Sequence, residues 1–193
     1  MSQLLSEKQL ALDRLASEII KDDPTPDLAM GATQLVFGSG SVDADIVLIG
    51  EAPGKKEDET GLPFVGAAGK FLDQMLGIAG LERKDVYITN IVKYRPPNNR
   101  DPLPEEKTAF WPYLMRQLEI IQPKVVLTLG RHSGAEFIPD LRISDDHGRV
   151  FEVNLGGKKY TLVPLYHPAA ALYRGSMRQV LIDDFLNTLS VVK

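Results

Sequence analysis

Three side chains capable of acid, base or hydrogen-bond chemistry stand at the ends of short apolar runs. Glu51 follows Ile46-Val47-Leu48-Ile49-Gly50, Asn90 ends Val86-Tyr87-Ile88-Thr89, and His167 follows Leu162-Val163-Pro164-Leu165-Tyr166. Such runs read as buried strands. In an open α/β sheet, ligands sit beyond the carboxyl ends of the strands, so parallel strands bring the three residues together. The loop at residues 50–66 is rich in glycine and proline and carries Phe64 between Pro63 and Val65. It offers a carboxylate, backbone amides and an aromatic face, which together can grip a flat polar ring. Taken singly, each residue has an ordinary reading: a solvated glutamate, a turn-forming asparagine, a satisfied loop histidine, a core phenylalanine. Their joint placement is what points to a ligand site.

The elements that must hold them follow from periodicity. Leu4, Leu5, Leu10, Leu12, Leu15, Ile19 and Ile20 predict a helix over residues 2–21, stopped by Asp22-Asp23-Pro24-Thr25-Pro26. An irregular stretch is expected from there to about residue 40. Strands are predicted at 46–49, 85–92, 125–130 and 160–165. Helices are predicted at 67–78, 104–121, 131–137 and 176–189. Pro112 falls inside the second of these segments, at 104–121, and should kink or break it. Residues 142–159 read as an irregular or hairpin excursion around Gly148, Gly156 and Gly157. Alternating strands and helices predict one domain, residues 1–193, with the helix at 1–21 packed on it. The expected fold class is α/β: a three-layer α/β/α sandwich around a central, mostly parallel four-stranded sheet.

Composition narrows the chemistry. The 193 residues contain no cysteine, which excludes disulfides, thiolate catalysis and cysteine-ligated metal centres. No metal ligand set is predicted. No run has the length of a membrane span, and residues 1–21 mix charges, so no export leader is expected and the cytoplasm is the expected compartment. A net charge of −4 does not advertise a polyanion partner, although a basic rim around the site would suffice for one. No Gly-Lys-Ser/Thr follows the 50–54 turn, and Gly38-Ser39-Gly40 precedes the first strand, the wrong place for a dinucleotide fingerprint.

The chain resembles the uracil-DNA glycosylase superfamily, and within it the family 4 enzymes. The resemblance rests on Val36-Phe37-Gly38-Ser39-Gly40, the 50–66 block, Thr89-Asn90-Ile91-Val92-Lys93, Arg95-Pro96-Pro97-Asn98-Asn99-Arg100 and His167-Pro168-Ala169-Ala170, in that order. It implies hydrolysis of the N-glycosidic bond of deoxyuridine flipped out of single- or double-stranded DNA, leaving an abasic site for base excision repair. Carried over to these positions, Glu51 and His167 are the catalytic residues. Ala52, Phe64, Asn90 and His167 hold uracil. Phe64 stacks on the base, the Asn90 carboxamide pairs with O4 and N3–H, and His167 donates to O2. Leu172 and Tyr173 fall where the superfamily carries its wedge. Lys93, Arg95, Arg100 and Arg174, with Arg178, flank the strand ends as phosphate partners. Asp58 matches an acid of the family motif with a part in loop structure, while the mixed run 55–59 reads as a hydrated loop.

One departure stands out. The family holds a four-iron cluster on four cysteines, and here those positions carry Asp23, Pro26, Tyr94 and Phe110. No cofactor is therefore expected, with Tyr94, Phe110 and Trp111 filling the vacated space. A monomer without membrane attachment is expected. The alternatives are a non-catalytic DNA- or uracil-binding relative, or a glycosylase that prefers hypoxanthine, xanthine or mismatched thymine. The covalent uracil-trapping branch needs a histidine-containing insertion after the second strand, and residues 95–104 contain no histidine.

Overall fold

A computed structural model describes residues 6–192, with side chains up to 189. Helix α1, Glu7–Asp22, starts at Ser6, whose hydroxyl accepts from the Gln9 amide, and buries Leu12, Leu15 and Ile19. Leu4 and Leu5 lie outside the described residues. The helix ends at Asp23, which turns left-handed at φ 45°. The stretch expected to be irregular holds a short helix α2, Pro26–Gly31, and a two-residue strand β1, Ser39–Gly40.

The remaining elements alternate. They are β2 (Ile46–Gly50), α3 (Lys55–Thr60), α4 (Ala67–Ile78), β3 (Tyr87–Asn90), α5 (Pro104–Ile121), β4 (Val125–Leu129) and α6 (Arg131–Ala135). After these come α7 (Ile143–Asp146), β5 (Phe151–Leu155), β6 (Lys158–Leu165), α8 (Ala170–Tyr173) and α9 (Ser176–Val192). The sheet order is β1-β3-β2-β4-β6-β5, with the four central strands parallel and both edge strands antiparallel. The expected four strands are the parallel ones, and the sheet has six. β1 was too short to carry a hydrophobic pattern. β5 alternates half-buried and exposed residues and folds back through Gly156 and Gly157, both at positive φ, the requirement of a tight hairpin turn.

Both faces of the sheet are covered because successive residues of β2 point to opposite sides. Val47 and Ile49 pack with Leu12, Ile19, Phe110, Leu114 and Leu118 beneath α1 and α5. Ile46 and Leu48 pack with Phe71, Leu72, Met75, Leu181 and Phe185 beneath α4 and α9. The result is the α/β/α sandwich expected from the alternation. Pro112 does not break α5, which runs on through it from Pro104 to Ile121. Pro112 and Thr108, whose carbonyl loses its usual donor, both face solvent, so water can satisfy that carbonyl. No helix among the described residues is long and apolar enough to cross a membrane.

Candidate active site

Strands β2 and β3 place the first two site residues side by side. Gly50 and Asn90 are register partners. The pairing runs on past the strand ends, with the Ile91 amide donating to the Gly50 carbonyl and the Val92 amide to the Glu51 carbonyl, each at 3.0 Å. His167 arrives from β6, two strands away, beside Gly130, whose amide donates to the Leu165 carbonyl at 2.8 Å. Gly130 has φ 102°, and a side-chain carbon there would lie 3.2 Å from His167 Cβ.

Phe64 is held in a left-handed conformation at φ 52°, a cost for any non-glycine residue, and its surroundings over-determine it. One Glu57 carboxylate oxygen accepts from the Val65 and Gly66 amides at 2.9 and 2.8 Å. The Arg83 guanidinium donates to the carbonyls of Pro63 and Phe64 while pairing with Asp73. Gly69 permits the approach, since a Cβ there would collide with the Phe64 carbonyl oxygen. The buried Phe64 ring then stacks on His167 with centroids 5.7 Å apart and planes 29° from parallel. Glu57 and Arg83 were not singled out from the sequence. Nor is the 55–59 run a hydrated loop: it is most of α3, with Asp58 buried and accepting from the Thr33 amide and hydroxyl at 2.8 and 2.9 Å.

Phe64, Asn90, His167, Ala52, Gly54 and Glu57 are among the residues lining a cavity of about 260 Å³. Asn90 Oδ1 is buried there and accepts no hydrogen bond from the protein. Buried polar atoms almost always have partners, so this one marks a place for an N–H donor from a ligand. His167 offers the complementary group. Its Nδ1 accepts from the Ala169 amide at 3.1 Å, which puts the proton of the neutral ring on Nε2. Burial pushes its pKa down to about 4, and the Glu57 charge only partly offsets this. The histidine is therefore a neutral N–H donor at physiological pH.

Glu51 lies on the other side of His167, in a second cavity of about 280 Å³ shared with Gly130, Arg131, His132 and Tyr166. Burial raises the Glu51 carboxyl, His132 opposes that shift, and Asp101 adds to it. Glu51 Oε1 is 3.7 Å from His132 Nδ1, and His132 Nε2 is 3.7 Å from Asp101 Oδ2. Sequence reasoning missed His132. The available signal was Gly130-Arg131-His132 at the end of the 125–130 strand, a loop that shares the same sheet edge.

The proposed DNA contacts divide. Lys93 is not at the surface: it is 0% exposed, and Nζ donates to Thr89 Oγ1 and the Asn90 carbonyl at 2.7 Å each and to Gln117 Oε1 at 2.5 Å. It cannot touch a phosphate, and burial lowers its pKa well below the ordinary lysine value. Arg100 is held bidentately by Glu106 at 2.9 and 2.6 Å, which keeps the Glu106 carboxyl below the usual carboxylate range. Arg178 donates to Gln74 and lies over the Phe71 ring. Arg95 is half-buried and bonded to Asn99 Oδ1 at 2.7 Å. Leu172 and Tyr173, 48% and 86% exposed, project from α8 with Arg174 exposed beside them.

The four positions expected to carry cluster cysteines do not fit an iron–sulfur centre. Tyr94 and Phe110 meet edge-on with centroids 6.0 Å apart inside the core. Burial and then the Asp23 charge push the Tyr94 phenol up, away from ionisation. A phenol, a phenyl ring, a proline and one carboxylate supply no thiolate, the ligand such clusters need.

Comparison with known proteins agrees with this geometry. Residues 37–190 match the model of the uracil DNA glycosylase superfamily. A type-4 uracil-DNA glycosylase of Archaeoglobus fulgidus is 49% identical over 181 residues, covering 91% of this chain and 90% of the relative. One from Thermotoga maritima is 40% identical over 185 residues, covering 94% and 95%. A type-5 uracil-DNA glycosylase of Pyrobaculum aerophilum is 30% identical over 148 residues, covering 67% and 63%. With the family model spanning most of the chain and the site assembled at its strand ends, this protein belongs to the uracil DNA glycosylase superfamily.

Proposed function

We propose that the protein is a monofunctional uracil-DNA glycosylase of the type-4 kind that works without an iron–sulfur cluster. The observation that carries the reading is the buried, unpartnered Asn90 Oδ1 in a cavity walled by the Phe64 ring and by His167. Uracil brings the N3–H that this oxygen lacks, an O4 for the Asn90 amide nitrogen, and an O2 for His167 Nε2–H. Cytosine has an acceptor at N3, so it would leave Asn90 Oδ1 unsatisfied at a cost of about 1–3 kcal/mol.

In this reading the flipped nucleotide puts its base against Phe64 and its sugar toward Glu51. The C1′–N1 bond breaks with its electron pair on N1. The developing uracil anion gains the His167 hydrogen bond, and a positioned donor of this kind is worth about 3–4 kcal/mol. Positive charge on the sugar faces Glu51, an attraction of about 4 kcal/mol at ~4 Å and an effective dielectric near 20. Water oxygen bonds to C1′, its proton leaves toward Glu51 or solvent, and the uracil anion takes up a proton on release. The products are uracil and an abasic site.

Leu172 and Tyr173 fill the space left by the flipped base, and Arg95 and Arg174 hold phosphates. The enzyme acts as one domain, as a monomer, in the cytoplasm. Single-turnover assays on single-stranded and duplex oligonucleotides containing uracil, thymine, hypoxanthine or xanthine test the reading. Release of uracil alone is expected. Silence on every substrate with DNA binding retained would make the protein a non-catalytic relative, and a rate higher on another base would reassign the substrate.

A further inference from the structure

The catalytic reading uses Glu51 but leaves its neighbours unexplained. Three charged or titratable side chains from two separate segments converge on it: Arg131 and His132 from α6, and Asp101 from the loop before α5. Lys107, from α5 itself, also acts on Glu51 electrostatically but is engaged by Glu136 at 2.5 Å. His132 lies between the carboxylates of Glu51 and Asp101, 3.7 Å from each through opposite nitrogens. Arg131 Nε donates to His132 Nε2 at 3.1 Å, so the neutral ring carries its proton on Nδ1, the nitrogen that faces Glu51. With Nε2 taken up by Arg131, Nδ1–H is the donor the ring turns toward Glu51, 3.7 Å away.

We propose that His132, backed by Asp101 and Arg131, is a positioning residue that fixes the orientation of Glu51 in the cavity next to the base cavity, across His167. The inference rests on the reading of Glu51 as the acidic residue of the reaction. The ring is held between two partners much as a base is oriented by a third group in nucleophile–base constellations. The electrostatics agree with the geometry. Burial raises the Glu51 carboxyl, the histidine counters that, and Asp101 works against the histidine.

The two neighbours therefore act on Glu51 with opposite sign, and this gives a test that a merely structural role would fail. If the carboxylate is the active form, excision falls as pH drops through its pKa. His132 lowers the Glu51 carboxyl and Asp101 raises it, so loss of the first should move it up and loss of the second should move it down. Single-turnover excision from a uracil-containing oligonucleotide, followed across pH, should show the acid limb of His132→Asn displaced upward. The limb of Asp101→Asn should move downward. His132→Asn should also lose about tenfold in the plateau rate, with little change in binding to the same oligonucleotide. Both side chains are partly or largely exposed, so the variants should fold, and circular dichroism checks this. Limbs that stay in place in both variants, or that move the same way, would overturn the proposal. Glu51→Gln measured in parallel separates the two levels. Normal excision by that variant would remove Glu51 from the chemistry, whereas its loss together with unmoved limbs would overturn only the role of His132.

Discussion

A Cβ on Gly50 would stand 2.4 Å from Asn90 Oδ1, and 2.6 Å from the tip of the Phe64 ring. The missing side chain of one strand-end residue is thus the space in which the Asn90 amide and the Phe64 ring converge. Its backbone φ is not in the positive range, so steric room, and not an unusual backbone, requires glycine here. Gly50→Ala should leave the protein folded, at a cost of about 1–3 kcal/mol from overpacking. It should lower uracil excision at least about a hundredfold, since ångström misplacement of a positioning group costs that much. Thermal melting together with single-turnover rates checks both halves. Unimpaired excision would mean that Asn90 and Phe64 can move without loss.

The tautomer of His167 is a second expected outcome. With Nδ1 accepting from the Ala169 amide and burial holding the pKa near about 4, nitrogen NMR should show a neutral ring protonated on Nε2 at pH 6. Its titration midpoint should lie near pH 4. The unfolded chain, with an ordinary histidine near 6.5, binds the proton more readily through that window. Folding stability from this residue is therefore present above about pH 6.5 and is lost as pH falls toward 4. A midpoint near 6.5 would place an imidazolium beside the leaving group and change the role assigned to His167. His167→Ala should slow excision about 10²–10³-fold.

Much of this was legible in the sequence for identifiable reasons. The four parallel strands are continuous apolar runs because both faces of the sheet are covered, and their ends carry the polar residues because that edge is open. The bounds of α4 and α5 coincide with the predicted 67–78 and 104–121. What could not be read were relationships across the chain. Lys93 lies in a polar, proline-rich neighbourhood and read as a surface cation. Only the packed structure shows Thr89, the Asn90 carbonyl and Gln117 closing around it. His132 follows a strand end like the other site residues but lacks the turn-rich loop that drew attention to Glu51. Glu57 and Arg83 support Phe64 through backbone groups, which leave no side-chain pattern to detect.

Lys93 and Arg174 should respond differently to salt. Each phosphate contact removed lowers the slope of log K against log salt by about one. Arg174→Ala should do so because its side chain is exposed beside α8. Lys93→Met should leave the slope unchanged and act on stability instead. It would remove the donor that Thr89 Oγ1, Gln117 Oε1 and the Asn90 carbonyl now share, at a cost of about 1–3 kcal/mol for a buried acceptor left unsatisfied. A lower melting temperature with an unaltered salt slope is the expected pair of results. A reduced slope for Lys93→Met would return that lysine to the DNA surface.

Leu172 and Tyr173 supply the prediction that separates base capture from base flipping. Both are exposed on a four-residue helix that begins three residues after His167, and its first residue, Ala170, lines the cavity that holds Glu51. Exposing an apolar side chain at ~25 cal/mol per Å² is unfavourable in the free protein and is recovered if the side chain enters a stack that a flipped base has vacated. A single strand has no opposing stack to fill, and its base is already free to enter the cavity. The double variant Leu172→Ala/Tyr173→Ala should therefore excise uracil from single-stranded DNA at close to the normal rate. From a duplex it should lose about tenfold or more, and a uracil·guanine mismatch, already partly unpaired, should suffer less than uracil·adenine. Equal losses on single-stranded and duplex DNA would instead make these side chains part of general DNA binding, and no loss on either would leave them as bystanders on the surface.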